Sequence, residues 1–154
     1  MKTLLNMLLP AKADNTIRGS KLPTNVFTVI AIISMVRSLI HLLAPDGGAG
    51  SIAGIDFGKA GKSGTIFGFG LWGSAQLIYA LIQLVVVSRY RSLVPFMYVL
   101  LILETLLRTF VGRSKPVSFV HTPPGKVGNA FFLPLSTFML VLSLWSARRQ
   151  TEKG

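Results

Sequence analysis

Four stretches of the chain show no strand-like alternation of apolar and polar positions and run apolar for roughly 20 residues, enough to cross hydrocarbon as a helix. They are Pro23 to Ala44, Ile66 to Val87, Leu93 to Val111 and Asn129 to Ala147. Each is bounded by charge, glycine or proline, and each is rich in Leu, Ile, Val and Phe on every side. A helix of a soluble protein confines such residues to one stripe, so the pattern predicts helices that face lipid all round. The expected fold is therefore all-α: an integral membrane four-helix bundle over residues 23–147, preceded by a segment 1–22 and followed by a tail 148–154.

The first thirteen residues are a separate question. Lys2, a short apolar run and the Ala11-Lys12-Ala13 tripeptide resemble a signal peptide, but Asn6 interrupts the run and Pro10 ends it. That is short for the apolar region of a signal. Leu4, Leu5, Leu8 and Leu9 share one face of a helix, with Lys2 and Asn6 elsewhere, which predicts a short interfacial helix lying on the membrane surface. A cleaved signal and a disordered end stand as the alternatives.

Composition changes the picture in one respect. The 154 residues are 51% hydrophobic and 14% charged, with 16 Lys and Arg against 5 Asp and Glu, a net charge of +11. In a soluble chain that excess would suggest nucleic acid. Its location argues otherwise: only Arg37, Glu104 and Arg108 lie inside a span. Lys2, Lys12, Arg18, Lys21, Arg89, Arg91, Arg148, Arg149 and Lys153 collect on one side, against Lys59, Lys62, Arg113, Lys115 and Lys126 on the other. The positive-inside rule then places both termini in the cytoplasm and the loops 45–65 and 112–128 outside the cell membrane. The lipid bilayer, with anionic lipid at the cytoplasmic face, is the expected partner, and nucleic acid is not. No cysteine is present, which excludes disulfides, thiol catalysis and thiolate metal sites.

The loop from Pro45 to Gly64 is rich in glycine and ends in Gly61-Lys62-Ser63. This is not a phosphate-binding loop, because Asp56 stands where the pattern needs a glycine and no strand precedes it. The glycines instead permit a compact cap over the helix ends with amides aimed at an anion. A flexible connection is the competing reading, although the apolar Ile52, Ile55 and Phe57 favour a segment that dips into the interface.

Ionisable residues inside the spans carry the most information, since charge at the bilayer centre costs about 2.5 to 3.5 kcal/mol per residue on insertion scales. Arg37 and His41 are four apart on the first span, and Glu104 and Arg108 are four apart on the third. Both pairs fall at about the same depth, roughly 10 Å below the outer boundary for Arg37 and Glu104. One network is thus expected, with Glu104 taking a bidentate bond from Arg37 while facing Arg108, and with Gln76 reaching in from the second span. Two guanidiniums against one carboxylate leave a surplus positive charge, for which Asp46 or Asp56 of the glycine loop, a lipid phosphate or an anionic ligand is the expected counterpart. The competing account is structural: Glu104 and Arg108 neutralise each other, Arg108 snorkels to the headgroups, and Arg37 fixes helix packing.

Other candidates add little. Gly64, Gly68, Gly70, Gly73 and Ser74 give small-xxx-small spacings suited to close helix contact, within the bundle or with a second copy or another membrane protein. His41 and His121 are the only histidines, so no metal site and no cofactor are expected, and no Ser, His and acid constellation suggests an enzyme. Trp72 and Trp145 fit aromatic belts near opposite span ends.

Arg37 late in the first helix, the Pro45 to Gly54 loop, the Glu104 and Arg108 pair and Lys115-Pro116 together resemble small uncharacterised bacterial four-helix membrane proteins of the DoxX-like kind. Some members of that group are linked to respiratory or redox accessory roles; the missing cysteines set any thiol-based version aside, and no site is carried over from the family. Two functions are expected from different classes. One is a non-catalytic accessory or interaction protein whose polar cluster fixes the helices. The other is a binder or carrier of a small anionic or lipid ligand at that cluster.

Overall fold

A computed structural model describes residues 2–57 and 61–151, and the described part is all-helical. A short helix α1 (Lys2–Leu8) precedes four long ones, α2 (Leu22–Leu43), α3 (Lys62–Arg89), α4 (Val94–Ser114) and α5 (Pro124–Thr151). All four long helices are long and apolar enough to cross a membrane. They match the four expected spans, α2 within one residue at each end and the others longer than expected: α3 begins four residues early, and α5 extends past both ends of its apolar run. Backbone hydrogen bonding does not stop where hydrophobicity does, and Pro124 at the first turn of α5 supplies a preset φ and needs no hydrogen-bond acceptor. Lys59 and Lys153, counted in the charge balance, lie outside the described residues.

Helix α2 packs along α3 and α4 along α5, and a short 3-10 turn at Arg91–Leu93 joins the two pairs. Phe27 and Ile30 of α2, Val86 and Val87 of α3, Val94, Met97, Tyr98 and Leu101 of α4, and Met139 of α5 form one buried cluster. Within it Tyr98 meets Phe27 edge to face at 5.3 Å and donates its hydroxyl hydrogen to the Pro23 carbonyl at 2.7 Å.

The sidedness of the helices is the reverse of a soluble protein's. Many buried positions at helical spacing are small or polar: Thr24, Ala31, Ser38 and His41 on α2, Gly73, Gln76, Ala80 and Gln83 on α3, and Ser136, Ser143 and Ala147 on α5. Outward positions are large and apolar, with Val29, Ile33 and Val36 about half exposed on α2 and Phe138 and Val141 on α5. Only 17% to 33% of each apolar window is buried. In water this arrangement would expose what burial should hide; in lipid it is favourable, because small residues bring backbones close and apolar ones face acyl chains.

Two ends can be distinguished. At one, residues 9–21 fold back as a strap across the α3–α4 turn and the end of α5. The backbone of Asp14 and Ser92 exchange bonds, with Asp14 N donating to Ser92 Oγ at 2.9 Å and Ser92 N to the Asp14 carbonyl at 3.2 Å. Gly19 N donates to Gln150 Oε1 at 2.9 Å and Ser20 N to Ser146 Oγ at 3.0 Å. Gly19 has φ of +92°, and a Cβ there would sit 2.6 Å from the Ala147 nitrogen, so only glycine lets the strap lie this close. This is the terminal face. At the opposite, loop face, residues 44–57 form a compact turn that touches the segment before α5 through an isolated bridge between Ile55 and Phe119.

Candidate functional site

The candidate site lies where α2, α3 and α4 meet toward the loop face. Helix α2 presents Arg37 and His41 one turn apart; α3 runs antiparallel and sets Gln76 against Arg37 and Gly73 against His41. The close contact at Gly73 is structural: a Cβ there would be 2.8 Å from the His41 carbonyl carbon and 2.8 Å from the Leu42 nitrogen. The other glycines of the small-residue run behave differently. Gly64, Gly68 and Gly70 have nothing within 4 Å of a notional Cβ.

Gln76 is the hub. It is buried, and three donors surround one end of its carboxamide, which identifies that end as the oxygen. In this orientation Gln76 Oε1 accepts from Arg37 Nη2 at 3.2 Å, from Arg108 Nη2 at 3.1 Å and from Trp72 Nε1 at 3.1 Å. Arg108 also donates to Glu104 one turn earlier on α4. The expected bidentate Arg37 to Glu104 bond does not form. Glu104 stays within electrostatic range of Arg37, but the link runs through Gln76, which both arginines can reach without either leaving its own helix face.

Trp72, read from the sequence as a belt residue, is part of the site. The Arg37 and Arg108 guanidinium carbons lie 5.9 and 5.5 Å from its ring centroid, within cation–π range. His41 stacks on the same ring at 5.0 Å, and Phe69 meets both rings edge to face. His41 therefore joins the cluster through Trp72. Its own polar atom serves the loop, since Nδ1 donates to the Gly47 carbonyl at 2.7 Å.

The glycine loop does aim amides at an anion, and that anion is its own Asp46. The Asp46 carboxylate accepts from Gly48 N at 2.8 Å, Gly50 N at 3.1 Å and Ser51 N at 2.7 Å, and from the Ser51 hydroxyl at 3.1 Å. The Ser51 amide, followed by that of Gly48, holds the Asp46 carboxyl down at about 2. Gly47 and Gly48 adopt φ of +60° and +73° to make the turn. Asp46 is thus engaged within the loop. Asp56 lies beside the bridge, its N–H donating to the Ser118 carbonyl at 3.1 Å. Nearby, His121 Nε2 lies 3.3 Å from the Ile52 carbonyl oxygen.

Deeper along α3, at helical spacing from Gln76, sit Tyr79 and Gln83. The Tyr79 hydroxyl lies beside the Gln83 amide and within range of Glu104 and Arg108. Neither Tyr79 Oη nor either end of the Gln83 amide has a well-formed hydrogen bond, and Arg37 Nε is likewise buried without a partner. Among the described residues no three His, Cys, Asp or Glu side chains gather as metal ligands would.

Fold and site define a class, an all-helical protein with four potential membrane spans and a cationic cluster between three of them. Comparison with protein families, with characterised proteins and with solved structures finds no match for the chain.

Proposed function

We propose that this chain is a multi-pass cell-membrane protein, a four-helix bundle with both termini in the cytoplasm, acting as a non-catalytic accessory or interaction protein whose polar cluster locks its helices. The observation that carries this reading is the Gln76 oxygen, which receives hydrogen bonds from α2, α3 and α4 at once. A neutral acceptor shared by three helices fixes their rotation and depth, the use to which polar side chains are most often put between membrane helices. The terminal face supports the orientation, because the strap brings Arg18 onto the end where Arg91, Arg148 and Arg149 emerge. Exposed Leu4, Leu5 and Leu9 on and just after α1 support an interfacial position against anionic lipid. The open glycine face of α3 leaves room for a second copy or another membrane protein. Kinship with the DoxX-like proteins is proposed on topology and on the positions of Arg37, the Pro45 to Gly54 loop, Glu104, Arg108 and Lys115-Pro116 alone.

The deciding experiment is Gln76→Leu, which keeps volume and removes the acceptor. The variant is expected to accumulate poorly in membranes or to melt well below the wild type; wild-type accumulation and melting would defeat the structural reading.

A second reading, a binder or carrier of a small anionic or lipid ligand at the same cluster, is favoured by one specific observation. Two guanidiniums share a neutral oxygen and a single carboxylate.

A further inference from the structure

We propose that Arg37 and Arg108 hold the singly charged oxyanion of a membrane-phase amphiphile, the phosphodiester of a phospholipid or the carboxylate of a fatty acid. The inference rests on the second reading and names its ligand. Charge sets the requirement. Glu104 is bonded to Arg108, the Gln76 oxygen is neutral and already shared, and Asp46 is taken by the loop amides. Arg37 makes no direct bond to a carboxylate, sharing Glu104 with Arg108 only at a distance, and its buried Nε–H has no acceptor. One uncompensated cation at membrane depth calls for one negative charge. A phosphate monoester would bring about 1.5 to 2 charges and overshoot.

Geometry selects the oxyanion. A guanidinium with an unused N–H presents a planar fork of donors that matches a two-oxygen acceptor, which phosphodiesters and carboxylates present and halides do not. Access selects the phase. The Arg108 and Glu104 side chains are 22% and 30% exposed and Trp72 is 38% exposed, beside Leu103 and Leu107, which are half exposed. These are outward positions of apolar helices, so the exposed edge of the cluster faces acyl chains. The approach from the loop face is instead covered by Gly47 and Gly48 on His41.

The test uses the full chain in phosphatidylcholine nanodiscs, melted with and without phosphatidylglycerol, with oleate, and with inorganic phosphate. Phosphatidylglycerol or oleate is expected to raise the Tm, inorganic phosphate to leave it unchanged, and Arg37→Gln to remove the rise. Should no anion shift the Tm, the binder reading fails as a whole. If inorganic phosphate acts as strongly as phosphatidylglycerol, anion binding stands and the membrane-phase ligand is overturned. A rise that persists in Arg37→Gln places the lipid elsewhere, such as the basic terminal face, and also overturns the proposal. Where Arg37→Gln does not accumulate, Arg37→Lys decides: it keeps the charge but loses the fork, and the rise is expected to fall by at least about half. An unchanged rise in Arg37→Lys refutes the assignment.

Discussion

Gly73 lies flush against the backbone of His41, with no room for a side chain between helices α2 and α3 at that level. The contact sets the distance at which Arg37 can reach Gln76, one turn deeper. Gly73→Ala is expected to push α2 and α3 apart and cost about 1 to 3 kcal/mol, the range for overpacking a close contact. Gly68→Ala, on the same helix with open space around it, is expected to change stability by no more than about 0.5 kcal/mol. Thermal melting of the two variants side by side checks the difference, and equal losses would contradict it.

The buried Tyr98 hydroxyl gives a second measurable link. It ties α4 to the first turn of α2 through the Pro23 carbonyl. Tyr98→Phe keeps the packing on Phe27 and removes only the hydrogen bond, so a loss of about 1 kcal/mol is expected. Tyr98→Ala also empties a core site and is expected to cost about 3 to 5 kcal/mol. Chemical denaturation in mild detergent reads both.

Supplying the missing carboxylate from the protein itself makes a stricter test of the charge argument. Gln76→Glu places an anion between Arg37 and Arg108, where the wild type has a neutral oxygen. The substitution is expected to raise stability by about 1.5 to 3 kcal/mol, the scale of hydrogen bonds to charged groups, and to abolish the response to phosphatidylglycerol. A destabilised Gln76→Glu would mean that the two guanidiniums are already balanced.

Acid should open the glycine loop before it disturbs the helices. The Asp46 carboxyl lies at about 2 in the folded loop against an ordinary 3.8. A depressed carboxyl stabilises the fold above its ordinary range, and that contribution is lost as pH falls from about 4 through about 2. Protection of the Gly48, Gly50 and Ser51 amides against hydrogen exchange, corrected for intrinsic rate, should fall across that window. Asp46→Ala should remove it at every pH and cost about 1 kcal/mol, as loss of an acceptor for capping amides does.

The four long apolar helices were readable from the sequence because a run of Leu, Ile, Val and Phe long enough to cross hydrocarbon has few other uses. The level of Arg37 and Glu104 was also readable, since depth follows from counting residues along a helix. Their partners were not. Whether Glu104 meets Arg37 or leaves it to Gln76 depends on how far α2 and α3 rotate, and that rotation is set by Gly73 against His41, a contact that spacing alone does not reveal. Trp72 was legible as an interfacial aromatic but not as the ring on which two arginines and His41 converge. Its indole N–H finds Gln76 one turn along its own helix, a spacing that could have flagged the pair. The anion sought for the loop amides was present in the loop all along. Asp46 followed by Gly47-Gly48 is an Asx-type turn signal, and reading it as such would have removed Asp46 from the candidate counter-ions.

The strap at the terminal face has a consequence in time. Gly19 and Ser20 are synthesised before their acceptors, Gln150 and Ser146, which lie 131 and 126 positions later on α5. The Asp14 contacts with Ser92 can form once the α3–α4 turn exists, but Gly19 and Ser20 cannot be seated until α5 has folded back to the same face. Seating of Gly19 and Ser20 then marks completion: a chain truncated before Ser146 keeps α2, α3 and α4 but lacks both of their acceptors.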